Sequence, residues 1–288
     1  MIDLHCHSMF SDGELPPSEL LKKAEELKLS YFSITDHNNC LAYENLDKSK
    51  YNGIIIPGVE IATSFENHII EILGYGIDTA KINDWHRKNR IDQSENVKFV
   101  YNKMINIFEK NDIEYTKIEN INEAIQGKPK QYFYNDLLKY EKNKEKVGAE
   151  VLESFADFNK KGLNNPKSIL FLDETAKLPK IEEVAELIHA NGGLCFLAHV
   201  CQYNVENHIE FIKRIKDTIK LDGIEVYHSS FSVEQINELN KYAEENNLYK
   251  CGGSDYHGRL KLGIELGLGL QIPNETITPW INKIKVIR

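Results

Sequence analysis

Long apolar runs are missing: no stretch of the 288 residues approaches the ~20 that a bilayer-crossing helix needs, which excludes a membrane-spanning helix. No secretory leader is expected, since its removal would take His5 and His7 with it. Cysteine is sparse, at Cys6, Cys40, Cys195, Cys201 and Cys251, without paired spacing and, apart from Cys40, in or beside apolar stretches. That usage argues against a disulfide framework and for reduced thiols in a cytoplasm. Excess positive charge is missing too. The net charge of −9 argues against binding long nucleic acid, which needs a basic face. Residues 81 to 146 run the other way, with 14 Lys+Arg against 11 Asp+Glu. Internal repeats and low-complexity segments are absent. Gly263 to Leu270 is locally rich in Gly and Leu and reads as a close-packed final strand.

What remains is an ordinary globular composition, 41% hydrophobic and 27% charged, on a chain long enough for one large domain or a domain with an insertion. Short β-like runs at 2–6, 31–36, 54–58, 69–75, 194–199, 223–227 and 248–252 alternate with helical patterns at 18–28, 181–191, 206–219 and 232–246. Repeated β-then-α units predict a parallel sheet, open or closed into a barrel. From 79 to about 165 the pattern is helical instead: Trp85 to Lys110, then pieces near 119–126, 131–140 and 145–160. The expected organisation is an α/β body formed by 1–78 and 166–288, carrying a helical insertion at 79–165.

Metal-binding side chains recur at the ends of the expected strands. The chain opens on Asp3-Leu4-His5-Cys6-His7-Ser8, followed by Ser11-Asp12-Gly13. If the first run is a strand, His5 and His7 face the same way, because side chains alternate across it. Single H-x-H pairs mostly bind nothing. Here His37, Glu60, Glu71, His199, Asp255 and His257 follow at later strand ends, and in a parallel barrel such residues converge at the C-terminal mouth.

These segments, with Thr35-Asp36-His37, Pro57-Gly58-Val59-Glu60, Ala198-His199 and Gly253-Ser254-Asp255-Tyr256-His257-Gly258, resemble the successive motifs of the PHP (polymerase and histidinol phosphatase) superfamily, from residue 2 to about 270. The resemblance implies a distorted (β/α)7 TIM-like barrel with two or three divalent ions, Mn²⁺, Zn²⁺ or Fe²⁺, with Mg²⁺ as an option. It also implies the ligands. His5, His7 and Asp255 would hold the first ion, Glu60 would bridge to a second held by His199 and Glu71, and Asp12, His37 and His257 would hold the third. Relatives usually carry His where Glu71 stands, and His68, three residues earlier, faces the other side of a strand. A carboxylate there favours harder ions such as Mn²⁺ or Mg²⁺.

Clustered divalent ions suit phosphate ester hydrolysis, with a hydroxide between the first two ions as nucleophile. The expected activity is removal of phosphate from a small nucleotide. The alternatives are 5′-3′ exonucleolytic trimming of short RNA or DNA, histidinol phosphate hydrolysis, and a non-catalytic metal-bound module. His228, after the run Gly223 to Tyr227, could hydrogen-bond phosphate or protonate the leaving oxygen. Arg87 and Arg90 share a helix face and could clamp a second phosphate, and Lys128 and Lys130 are similar candidates. The plainer reading of the arginines and lysines is a solvated basic face, and that of His228 a loop histidine supporting its neighbours. Val200 and Gln202 stand where many relatives have Pro and Arg, which removes a usual phosphate contact. Cys6 and Cys201 read as buried, inert thiols.

Overall fold

The computed structural model describes residues 1–89, 93–118, 128–267 and 272–288. They fall into two compact units, Met1–Lys88 with Lys177–Arg288, and Asn89–Ala176. Helices α1 (Pro17–Glu26) and α2 (Thr79–Asn89) come first. Then follow α3 (Gln93–Lys110), α4 (Pro129–Leu137) and α5 (Glu141–Val147) of the helical unit, and finally α6 (Ile181–Ala190), α7 (His208–Thr218) and α8 (Val233–Glu245).

The first unit holds two sheets. In one, β1 (Ile2–Asp3), β2 (Tyr31–Phe32) and β3 (Ile54–Ile55) run parallel. The other orders β4 (Gly58–Phe65), β5 (His68–Tyr75), β6 (Leu194–Leu197), β7 (Gly223–His228) and β8 (Tyr249–Gly253) in sequence. The expected all-parallel sheet is corrected here. β4 and β5 form an antiparallel hairpin, β5 pairs antiparallel with β6, and only β6, β7 and β8 run parallel. A two-residue turn at Glu66-Asn67 makes the hairpin possible, with Glu66 taking a left-handed φ of +52°. No single closed ladder links the two sheets among the described residues; the fold is mixed α/β. Their edges meet through isolated bridges, Cys6 with Tyr256 and His37 with Glu60, and through Leu4 N–H donating to Gly252 O at 3.1 Å. The expected final strand is also absent over Gly263 to Gly267, where Gly267 N–H instead donates to Asp3 Oδ2 at 2.8 Å; 268–270 lie outside the described residues.

Alternation along the strands decides where the site can be. On β5, Ile70 and Ile72 turn to one face and pack with Val59, Ile61, Val184, Ile188 and Leu197, which α6 covers. Glu71, Leu73 and Tyr75 turn to the opposite face, where Leu73 and Tyr75 join Leu4, Ile56, Phe196 and Trp280 in a second apolar cluster. Trp280 is fully buried, stacks on Tyr75 at 5.6 Å and donates its Nε1–H to Lys250 O at 3.0 Å. Each such large apolar side chain stabilises the fold by about 1.5–3 kcal/mol relative to exposure. An apolar layer therefore lies on the same strand faces as Glu60, Glu71 and Glu225. Pro17 at the first turn of α1 suits a helix start, and Leu20, Leu21 and Ala24 bury against Phe32, Ile34 and Ile55.

The helical unit has its own core, in which Met104, Phe108, Phe133, Leu137, Phe158 and Leu163 are buried. Asp136 accepts from Thr116 N–H at 2.6 Å, and Asn143 both donates to Glu114 O at 2.9 Å and accepts from Glu114 N–H at 3.0 Å. These bonds hold the chain after α3 on α4 and α5. The single helix expected over Trp85 to Lys110 is two, α2 and α3, and the expected piece at 119–126 lies outside the described residues.

Candidate metal centre

The residues of the N-terminal motif are held by carboxylates that are themselves buried. Asp3 accepts from Ser254 N–H at 2.9 Å and Gly267 N–H at 2.8 Å, fastening β1 to the segment after β8. Burial raises its carboxyl above the usual range, against those hydrogen bonds. Asp36 accepts from Ser8 N–H at 2.7 Å, Ser8 Oγ at 2.6 Å and Ser11 Oγ at 2.6 Å, so the loop from His7 to Asp12 is held against the loop bearing His37. Gly253 is needed where it stands: a Cβ there would lie 2.2 Å from His5 N. Two residues later Asp255 takes φ +57°, a conformation few non-glycine residues adopt but one that Asp and Asn tolerate.

Nine side chains converge within this frame. His5 Nε2 lies 3.3 Å from Glu60 Oε1 and 3.7 Å from Asp255 Oδ1. His7 Nε2 lies 3.2 Å from Glu60 Oε2 and 3.4 Å from Asp255 Oδ1. Glu60 also faces His199 Nε2 at 2.9 Å and His37 Nδ1 at 3.2 Å, and so is common to both halves of the cluster. Glu71 reaches His199 Nε2 at 3.1 Å and His37 Nδ1 at 3.5 Å. Asp12 lies 3.3 Å from His257 Nε2, 3.5 Å from His37 Nε2 and 3.5 Å from His7 Nδ1. His68 is not among them; its ring sits edge-on to Phe211 at 5.3 Å, on the other side of β5. Glu60 lies within a strand rather than at a strand end, because β4 continues past it to Phe65.

Burial alone would neutralise these imidazoles. The surrounding carboxylates outweigh it: Glu60, Glu225 and Asp255 hold His5 well above the usual imidazole range. Asp12, Glu60 and Glu71 likewise push His37 up to about 9, and Glu60 with Glu71 push His199 up to about 10. Against its own burial, Asp255 is held far below the carboxylate range by His5, His228 and His7. Opposite charges packed this densely would suit a divalent cation in place of the imidazole protons.

The donor set fits such ions. His5 Nε2 and His7 Nε2 are buried and have no hydrogen-bond partner among the described residues, while His5 Nδ1 lies 2.9 Å from Glu225 Oε1. A buried imidazole held at one nitrogen and unpartnered at the other is the arrangement a metal ligand has. Ligand atoms gather in the groups His5, His7 and Asp255; His5, Glu60 and His199; His37, Glu60 and Glu71; and His7, Asp12, His37 and His257. Imidazole nitrogen with carboxylate oxygen suits Mn²⁺, Fe²⁺ or Zn²⁺. At Glu71, replacement by His is expected to move metal content away from manganese toward zinc, read by elemental analysis of protein loaded from equal mixtures; unchanged content would remove a role for Glu71 in metal choice.

The remaining sequence candidates are distributed unequally. His228 is buried at the cluster, with Nε2 3.2 Å from Asp255 Oδ2. Ser230 N–H donates to its Nδ1 at 3.1 Å, which leaves the proton of a neutral ring on Nε2. Arg87 is exposed and pairs with Asp84 at 2.6 Å and Glu44 at 3.7 Å, so its guanidinium is committed to carboxylates. Arg90 lies outside the described residues. Lys130 pairs with Glu174 inside the helical unit, and Lys128 precedes α4 there. Gln202 donates to Ser230 Oγ at 3.1 Å beside His228. Cys6 is buried and bonded to Ser33 O; burial raises both its thiol and that of Cys201, the latter to about 11.

Glu225 escapes sequence reasoning. It is fully buried, accepts from His199 N–H at 2.8 Å and contacts His5 Nδ1, tying two candidate ligand segments together. Its signal was a glutamate inside the apolar run Ile224-Glu225-Val226. Tyr203 OH, which accepts from Glu71 N–H at 2.8 Å, and Lys261, paired with Asp255, carried no comparable signal.

The PHP domain model matches residues 3–228. The chain is 28% identical to the 5′-3′ exoribonuclease Rnm of Escherichia coli, over 96% of this chain and 92% of that protein. It is 23% identical to the 3′,5′-nucleoside bisphosphate phosphatase of Chromobacterium violaceum, over 94% and 92%. Among solved structures, a candidate metal-dependent phosphoesterase from Bifidobacterium adolescentis superposes with a TM-score of 0.63 at 22% identity, covering 98% of this chain and 96% of that one. An amidohydrolase from Chromobacterium violaceum also gives 0.63, at 21% identity and over 90% and 88%; at that identity the likeness is one of fold.

Proposed function

The chain belongs to the PHP domain family of metal-dependent phosphoesterases, and from that premise we propose that it hydrolyses the phosphate monoester of a small nucleotide. The observation that carries the reading is the convergence of His5, His7, Asp12, His37, Glu60, Glu71, His199, Asp255 and His257 around the shared carboxylate of Glu60. These residues would hold two or three divalent ions. When bound, such ions acidify a water to serve as nucleophile and spread the charge of the phosphoryl oxygens. The protein's own groups do the rest. Glu60 and Glu71 fix His37 and His199, Glu225 orients His5, and His228 presents its Nε2 proton at Asp255, where it can donate to a phosphoryl or leaving oxygen. We read the compartment as the cytoplasm, which suits five free thiols in a chain where no described helix is long and apolar enough to cross a membrane.

A small substrate is favoured by how little positive charge is available. The net charge is −9, and Arg87 and Lys130 are paired with carboxylates. Phe10, 44% exposed on the loop that carries Asp12, offers a ring face on which a nucleobase can stack. A second reading, 5′-3′ trimming of short RNA, has in its favour the similarity to the Escherichia coli exoribonuclease over nearly the whole chain.

Phosphate release with Mn²⁺ should be compared for adenosine 3′,5′-bisphosphate, 5′-AMP, histidinol phosphate and a 5′-phosphorylated RNA trimer. Release from the bisphosphate or 5′-AMP without shortening of the trimer is the expected result. Shortening of the trimer would replace the phosphatase reading by the exonuclease, and release from histidinol phosphate alone would remove the nucleotide.

A further inference from the structure

The loop after His257 buries its residues in the reverse of the usual order. Leu260 and Leu262 are 73% and 84% exposed, while Lys261 between them is only 35% exposed and turns its ammonium inward onto Asp255 Oδ2. A surface loop ordinarily hides its leucines and extends its lysine into water. The direction is imposed from outside the residue. Glu14 Oε2 accepts from Arg259 N–H at 2.8 Å, the Arg259 guanidinium pairs with Glu14, and Glu14 N–H donates to His257 O at 3.1 Å. The loop is thus fastened to the chain that follows Asp12, and the exposed leucines are what that fastening leaves outside.

We propose that Lys261 is a substrate-positioning residue that grips the phosphate. The Lys261 ammonium rests on Asp255, neutralising part of the cluster's negative charge. A divalent ion held at Asp255 would compete for that carboxylate and free the ammonium. Its flexible four-carbon stem then lets it meet the phosphoryl oxygens that arrive beside that carboxylate, as a point charge rather than a fork. Lys261 pairs with a carboxylate of the cluster itself, whereas Arg87 and Lys130 are tied to Asp84, Glu44 and Glu174. No covalent step is involved.

This inference rests on the phosphoesterase reading, so its test separates the two. Two titrations are compared for the wild type, Lys261→Gln and Lys261→Arg: Mn²⁺ into metal-free protein, and inorganic phosphate into Mn²⁺-loaded protein. Lys261→Gln should bind Mn²⁺ about fivefold tighter, because a competing cation has gone. It should bind phosphate on the order of tenfold more weakly, because a charged donor has gone. Lys261→Arg should recover most of the phosphate affinity. A purely structural lysine would not move the two affinities in opposite directions. If the wild type binds phosphate and Lys261→Gln binds it equally well, or if Lys261→Gln loses Mn²⁺ affinity, the role assigned to Lys261 is wrong. If the Mn²⁺-loaded wild type binds no phosphate, the phosphoesterase reading itself fails.

Discussion

Asp255→Asn is expected to lower kcat by about a thousandfold or more while the protein still unfolds cooperatively. Asp255 faces His5, His7, His228 and His257, so its carboxylate is shared by both halves of the cluster. Loss of a ligand there removes several kcal/mol of charge stabilisation in the transition state, and about 1.36 kcal/mol corresponds to each tenfold in rate. Asparagine is the informative replacement. The backbone at 255 has φ +57°, which asparagine tolerates and alanine does not, so a loss of activity in Asp255→Asn cannot be assigned to a strained turn. His7→Ala gives a second test at a site without that backbone demand, since its imidazole lies between Asp255 and Asp12. Steady-state kinetics with bound Mn²⁺ measured alongside decides the matter. Near wild-type turnover in either variant would overturn the ligand assignment.

The alternation of β-like and helical runs was readable in the sequence because β6 to β8 and α6 to α8 have undiluted periodicity: Ile224 and Val226 point one way, and Leu239 and Ala243 lie four apart on α8. The β4–β5 hairpin was not. Its turn is Glu66-Asn67, without the glycine that marks most two-residue hairpins, and β4 ends in Thr63-Ser64-Phe65, which reads as a polar loop. The parallel sheet expected from the β/α pattern was therefore wrong at the strands that carry Glu60 and Glu71. Both nevertheless reach the centre. Glu60 and Glu71 face His37 and His199 from neighbouring strands, because the register pairs Glu60 with Leu73 and Ala62 with Glu71 and so puts both carboxylates on one face. Arg87 illustrates the converse limit. Its helical spacing to Arg90 suggested a clamp, but Asp84, three residues before it on the same helix, takes its guanidinium.

Glu225→Gln is expected to lower Mn²⁺ affinity by roughly 10–100-fold, the usual cost of losing the carboxylate that orients a ligating histidine. Glu225 Oε1 lies on His5 Nδ1 at 2.9 Å, and Oε2 accepts from His199 N–H at 2.8 Å. Its own burial would protonate it, but His5, His228 and His199 hold the carboxyl below its usual range, so it faces His5 as an anion. In the neutral ring that a metal ion would bind, that charge keeps the proton of His5 on Nδ1 and leaves the lone pair on Nε2, the nitrogen without a hydrogen-bond partner. Glutamine keeps the volume and can still accept from His199 N–H, but it removes the charge that makes His5 Nδ1 the protonated nitrogen. The amide can also turn its NH₂ toward His5, which would favour the opposite tautomer and put a proton where a metal ion would bind. The effect should therefore appear in metal affinity with little change in fold. Calorimetric titration of Mn²⁺, with thermal unfolding as the control, reads both. Unchanged affinity in a folded Glu225→Gln variant would show that Glu225 is a structural carboxylate, and that the orientation of His5 is set by the packing of β1 against Gly253 alone.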